Sequence, residues 1–235
     1  MRLDLFLVKR GFFDSRNKAA EAIKKRDVLV DGKVVQKPSL DISDENRLEV
    51  LKRFTYVSRA GDKLKEFLKA KEIEINSKEC LDVGSSTGGF TEVLLEFGAK
   101  SVTCVDVGKD QLHPKIREDS RVKVVEECDI REFESDRKFD LLTCDVSFIG
   151  VENILDKLIT LCDKKMIILF KPQFEVGKNV KRDKKGVIKD KSAIERALHR
   201  FESLLIEKGL KIITQEESKV KGKEGNMEYF YYVKL

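Results

Sequence analysis

Apolar positions near the start of the chain recur at helical spacing, first at Leu3, Phe6 and Leu7 and then at Ala19, Ala22 and Ile23. Gly11 closes the first segment, and Asp14 or Ser15 caps a second helix running from about Arg16 to Lys25. The period then drops to two at Val28-Leu29-Val30, followed by the tight turn Asp31-Gly32 and a short strand from Lys33 to Val35. These elements predict a small α+β unit over residues 1–52, joined through a charged connection at 53–55 to a larger unit over 56–235. The larger unit opens with an amphipathic helix through Lys63, Leu64, Phe67 and Leu68 that ends before Asn76. Strands are then expected at 80–84, 101–107, 122–127, 139–146, 165–171, 210–217 and 227–234. Helices fall between them at 88–97, 109–117, 151–161 and 191–208. This alternation is α/β, with right-handed crossovers, a mainly parallel sheet and a final pair free to form an antiparallel hairpin edge.

With 235 residues the chain holds one well-buried domain and an appendage. It has 47 Lys and Arg against 42 Asp and Glu, and the imbalance lies entirely at the front, where residues 1–60 carry 14 basic against 9 acidic. Arg16, Lys18, Lys24, Lys25 and Arg26 fall on the outer surface of the second helix, which suits either a nucleic acid or an acidic membrane surface. Cys80, Cys104, Cys128, Cys144 and Cys162 lie in or next to apolar runs without a C-x-x-C pair, so they are expected to be reduced, packed thiols of a cytosolic protein. Two histidines, His113 and His199, are too few and too separated to suggest a metal. The best apolar run, Met166 to Phe170, is a strand's worth, and Asp4 interrupts the N-terminal apolar segment, so neither a membrane span nor a secretion signal is expected.

Candidate chemistry sits at the ends of the apolar runs. In LDVGSSTGGF, Gly84, Gly88 and Gly89 let the backbone turn sharply and approach a ligand, while the helix that follows presents unpartnered N–H groups. The spacing is neither G-x-G-x-x-G nor that of a phosphate loop, and no lysine follows to hold a terminal phosphate. Asp145 and Lys171 each follow an apolar run, so in a parallel sheet both emerge at the carboxyl edge, above the glycine turn.

The turn resembles motif I of S-adenosylmethionine-dependent methyltransferases, which implies a Rossmann-like sheet and a cofactor site at Asp82, Gly84, Ser85, Thr87, Gly88, Gly89, Phe90, Asp106, Val107, Asp129 and Asp145. By that resemblance Asp82 steers the amino-acid portion of the ligand, Asp106 accepts from both ribose hydroxyls and Asp129 reads the adenine. The order Lys63, Asp145, Lys171, Glu228 resembles the tetrad of the FtsJ-like ribose 2′-O-methyltransferases. The stretches VSRAGDKL, DVSFI, FKPQFEVG and GNMEYF are similar to its TlyA/hemolysin-A branch. The front pattern, RLDLFL followed by SRNKAAEAIKKRDVLVDGKVVQKPS, resembles the alpha-L RNA-binding module of a small-subunit ribosomal protein, with Arg26 or Asp27 where that family usually has glycine.

The resemblance implies methylation of a cytidine 2′-hydroxyl in ribosomal RNA, within an assembled subunit; separately, no obligate protein partner is evident, and without a spanning segment or broad apolar helix face no stable membrane association is expected. Lys171 is then the central group, oriented by Asp145 and Glu228, with Lys63 as second cation; a lysine amine so placed orients the hydroxyl or accepts its proton. RNA contacts are expected at Arg10, Arg16, Lys18, Lys24, Lys25, Arg26, Arg59, Lys181 and Arg182. The last two belong to a segment from Lys178 to Lys191 with seven basic residues against two acidic, expected to be mobile between Gly177 and Gly186. Two competing readings are an RNA-binding protein without catalysis, distinguished by labelled methyl transfer, and the membrane-active protein that the branch's hemolysin name suggests, distinguished by liposome leakage.

Overall fold

The structure, a computed structural model, describes residues 1–13, 15–24, 26–51, 56–177 and 179–235. The chain divides into two compact units, Met1–Thr55 and Tyr56–Leu235. The expected cap Asp14, the connection at 53–55, Lys25 and Lys178 lie outside the described residues.

In the first unit, helices α1 (Leu3–Lys9) and α2 (Arg16–Lys24) cover a three-stranded antiparallel sheet with β1 (Val28–Val30) between β2 (Lys33–Val34) and β3 (Leu48–Val50). Leu3, Phe6, Leu7, Ala19, Ile23, Val28, Val30 and Ile42 form its core. β3 was not anticipated, because its three half-buried residues include Glu49 and show no contrast between faces. Arg26 adopts a φ of 64°, so the left-handed turn that glycine would make freely is kept here by a residue with a side chain.

The second unit runs α3 (Arg59–Ala70), β4 (Glu79–Val83), α4 (Gly89–Glu96), β5 (Ser101–Val105), α5 (Pro114–Arg117), β6 (Val122–Val125) and β7 (Phe139–Cys144). It continues with α6 (Leu155–Leu161), β8 (Cys162–Phe170), α7 (Pro172–Glu175), α8 (Lys191–Glu207), β9 (Lys211–Glu217) and β10 (Tyr229–Lys234). The seven strands follow the order β6-β5-β4-β7-β8-β10-β9; β6, β5, β4, β7 and β8 are parallel, and β10 is antiparallel to both its neighbours. The last two strands do pair antiparallel, but β10 is inserted within the sheet and β9 forms the edge. The burial pattern explains the choice: Phe230, Tyr231, Tyr232 and Val233 are all buried, as a strand covered on both faces requires, whereas β9 alternates between exposed and half-buried.

Side-chain alternation divides the core between the faces of the sheet. Met166, Ile168 and Phe170 of β8 join α6 and α8 on one side; Ile167 and Leu169 join α3 and α4 on the other. Helix α5 is shorter than the expected 109–117, because Glu126 accepts the amides of Asp110, Gln111 and Leu112 at 2.9 to 3.0 Å and so fixes them in an irregular loop. The Arg117 guanidinium, then burial working against it, then those amides set its carboxyl, which is drawn down to about 2. Among the described residues no helix is long and apolar enough to cross a membrane.

Candidate active site

Strand β4 ends at Val83, and Gly84 turns away with φ 77°. A Cβ at Gly84 would lie 3.0 Å from the Asp145 carbonyl oxygen, so only glycine permits this approach of the turn to the segment leaving β7. Between them, at the carboxyl edge of the sheet, opens a cavity of about 320 Å³. The expected residues Gly84, Asp106, Val107, Asp129 and Asp145 line it, together with Ser86, Gln111, Cys128, Ser147 and Phe148, which sequence reasoning missed. Ser147 and Phe148 had a visible signal, the DVSFI run, although only its aspartate stood out as chemistry.

Asp106 accepts from Gly108 N at 2.7 Å through Oδ1 and from Ser86 N at 2.8 Å through Oδ2, leaving each oxygen a further lone pair for a ligand. Asp129 is held by Arg131, with Nε at 3.0 Å and the main-chain amide at 2.9 Å, and its carboxyl is drawn down to about 2 chiefly by that guanidinium. No basic residue lines the cavity among the described residues, while three carboxylates do. Such a lining repels phosphates and suits a cationic, hydroxyl-bearing molecule.

Several turn residues lie elsewhere than expected. Asp82 does not reach the cavity: it is fully buried and accepts from Thr91 Oγ1 at 2.6 Å and Thr143 Oγ1 at 2.8 Å, tying β4 to α4 and β7. Desolvation pushes its carboxyl up to about 6 against those two hydroxyls. Ser85, Thr87, Gly88, Gly89 and Phe90 are likewise absent from the lining and build the turn from behind. Ser85 O accepts Gly88 N and Thr87 O accepts His113 N; a Cβ on Gly88 would meet Leu112 at 2.9 Å. One on Gly89 would meet Gly61 N at 2.9 Å, and Phe90 packs 6.2 Å from Phe230.

The four residues Lys63, Asp145, Lys171 and Glu228 are brought together. Asp145 and Lys171 follow the parallel strands β7 and β8. Glu228 precedes β10, whose first residue Tyr229 pairs with Phe170, so an antiparallel strand delivers its leading residue to the same edge. Phe67 stacks on Phe230 at 4.5 Å and seats α3 so that Lys63 Nζ meets Glu228 Oε2 at 2.6 Å. Lys171 Nζ lies 2.6 Å from Asp145 Oδ1 and donates to Ser147 Oγ at 2.8 Å. The approach to Asp145 Oδ1 is an ion-pair contact; the well-angled hydrogen bond goes to the serine. Gln173 Nε2 donates to Glu228 Oε1 at 3.4 Å. Burial pushes the Asp145 carboxyl up, Lys171 and then Lys63 oppose this, and Glu228 adds to it, so all four charges act on one another.

Among the expected RNA contacts, Lys18, Lys24, Arg26 and Lys181 are exposed and Arg59 is half-buried. Arg10 pairs with Asp44 at 2.6 Å, and Arg16 joins Arg2 in holding Asp4, which is 2% exposed and whose carboxyl lies well below the usual range because of those cations, Arg2 foremost. Arg182 is a pin inside the chain: its guanidinium donates to Val180 O, Gln173 O and Gly177 O at 2.9 to 3.1 Å. The segment around it is organised, with Arg182 bridging Ile188 antiparallel and Asn226 Oδ1 accepting Ile188 N at 3.0 Å.

The family model for the FtsJ-like methyltransferase matches residues 56–235, and that for the S4 domain matches residues 1–48. The chain is 46% identical to the 23S rRNA (cytidine-2′-O)-methyltransferase TlyA of Campylobacter jejuni, over 99% of this chain and 98% of that protein. Hemolysin A of Brachyspira hyodysenteriae is 36% identical, over 97% of this chain and 98% of its own length. A solved structure described as a candidate hemolysin of Streptococcus thermophilus is similar over 100% of this chain and 88% of that one, with 31% identity and a TM-score of 0.78.

Proposed function

Since the chain belongs to the FtsJ-like methyltransferase family and carries an S4 domain ahead of it, we propose that it transfers a methyl group from S-adenosylmethionine to the 2′-hydroxyl of a cytidine in ribosomal RNA. The observation that carries this reading is the cluster of Lys63, Asp145, Lys171 and Glu228 next to an acidic cavity that shares Asp145 with it.

The cofactor fits the cavity by size and charge: about 320 Å³ lies within the range of small-molecule sites. Asp106 would hold the ribose through the lone pairs that its amide partners leave free, while Val107 and Phe148 supply apolar walls. When bound, S-adenosylmethionine supplies an electrophilic methyl group on a sulfonium.

The protein aligns a ribose oxygen with that group and manages one proton. Asp145 and Ser147 fix the direction of the Lys171 amine, while Glu228 pairs with Lys63 rather than with Lys171 and acts on the site through its charge on Asp145. Lys171 Nζ orients the 2′-hydroxyl, and the proton that the hydroxyl releases passes into this group of amines and carboxylates. Residues 1–52 act as the RNA-docking unit and 56–235 as the transferase; exposed Lys18, Lys24, Arg26 and Lys181 contact phosphates, with half-buried Arg59 as a further contact. Five free cysteines support a reducing, cytosolic site of action.

Purified protein, methyl-labelled cofactor and either naked ribosomal RNA or assembled subunits test the reading. Label mapping to a cytidine 2′-oxygen is expected, more strongly in the assembled subunit; label on a base, or none on any RNA by protein that binds the cofactor, overturns it.

A further inference from the structure

The ladder between β7 and β8 ends at the pair Cys144 and Ile168, before Asp145, Ser147 and Lys171. The residues beyond it are held by another device. The side chain of Glu175, 7% exposed, accepts the amide of Val151 at 2.8 Å through Oε1. Val151 opens a single 3-10 turn over Val151–Asn153, whose leading amide has no partner within the turn, so the carboxylate caps it. Its other oxygen lies against Gly150, where a Cβ would come within 2.6 Å; glycine is what admits the carboxylate.

Arg200 of α8 closes the arrangement from outside. It donates Nη2 to the main-chain oxygen of Glu175 at 2.7 Å and Nε to Glu152 Oε1 at 2.8 Å, so one guanidinium grips both the segment leaving β7 and the segment leaving β8. Phe148 and Phe174 meet across the same gap, with ring centroids 5.4 Å apart.

The gripped segment is under strain. Phe148 has φ 68°, a conformation that a bulky side chain adopts only where its surroundings impose it, and it is 93% exposed, so its own burial contributes little. Ser147, the residue before it, is the hydrogen-bond acceptor of Lys171 Nζ. If the loop relaxed, the serine would move away from the amine.

We propose that Glu175, gripped by Arg200, is a positioning residue for Lys171: by fixing Val151 against α7 it holds the strained loop that places Ser147 at the amine. The proposal rests on the reading of Lys171 as the central catalytic group.

Single-turnover methyl transfer at saturating cofactor and RNA, measured well below each variant's unfolding temperature, tests it. Glu175→Ala is expected to lose at least about tenfold in rate, since small misplacements of reacting groups cost up to a hundredfold. Glu175→Gln, whose amide oxygen still accepts from Val151, is expected to restore most of the rate, and Arg200→Met, which leaves the carboxyl in place, to lower it. The double variant Glu175→Ala with Arg200→Met should be little worse than the worse single one, because both act on one segment. A wild-type rate in Glu175→Ala, or a Gln variant as slow as the Ala variant, overturns the proposal. If Glu175→Ala does not fold, an unchanged rate in Arg200→Met overturns it. A wild-type rate in Lys171→Ala would instead strike the underlying reading.

Discussion

Lys171 touches Asp145 and Ser147 and is not among the residues that line the cavity. Lys171→Ala is expected to lower the rate of methyl transfer about 10²- to 10⁴-fold, the usual contribution of a positioned acid or base, with cofactor affinity by calorimetry nearly unchanged. Near-normal turnover would remove its central role. Glu228 has a second consequence, because its partner Lys63 is buried with it. Glu228→Ala strands a buried ammonium and should destabilise the fold by about 3–5 kcal/mol, seen as a lower melting temperature; restoring stability by the further change Lys63→Met would identify the cause. At this scale the sequence was informative about place and poor about direction. Asp82 and Arg182 were expected at ligand and RNA, but Asp82 turns into Thr91 and Thr143, and Arg182 into three carbonyls. A motif locates a Cα at a strand end, and the neighbours that capture its side chain come from segments remote in sequence.

The elements that make the cavity depend on close backbone approach. Gly84 combines a φ of 77° with only 3.0 Å to the Asp145 carbonyl, so Gly84→Val should abolish detectable cofactor binding in calorimetry while far-ultraviolet circular dichroism stays nearly native. Retained affinity would detach the turn from the cofactor. The glycine turn, the strands before it and the helices α3, α4 and α8 were legible because apolar periodicity and punctuation are local signals. The inserted position of β10 and the shortening of α5 were not. The first follows from a sheet that can cover both faces of YFYYV, the second from one carboxylate, Glu126, that lies just beyond β6 and claims three amides.

For the molecule as a whole, two responses to solvent follow. Burial raises the carboxyl of Glu175 to about 7, with Glu152 adding to the rise and Arg200 opposing it, and raises Asp82 to about 6. Between pH 4.5 and 7 the folded state therefore holds protons that the unfolded chain has released, so these groups make stability fall as pH rises through that window. Glu126 and Asp129, drawn down to about 2, act oppositely, and their contribution is lost as pH falls from about 4 toward 2. Chemical denaturation of wild type and Glu175→Gln at pH 5 and pH 8 checks this: the wild type should lose stability relative to the variant at the higher pH, and a constant difference would refute the assignment. RNA affinity should fall steeply with salt, and charge neutralisation at Lys24 should reduce the slope of log affinity against log salt by about 1. An unchanged slope would remove Lys24 from the interface.

By itself the sequence pointed through spacing and residue type to two units, to the α/β alternation and to the glycine turn, and through resemblance to a known tetrad to the four clustered residues. Only the tertiary structure decided that β10 enters the sheet, that Glu228 thereby reaches the carboxyl edge beside Lys171, and that Glu175 and Arg200 hold the loops there. Those outcomes depend on which buried groups satisfy one another across distant segments, and hydrogen-bond partnership of that kind has no period that a linear pattern can display.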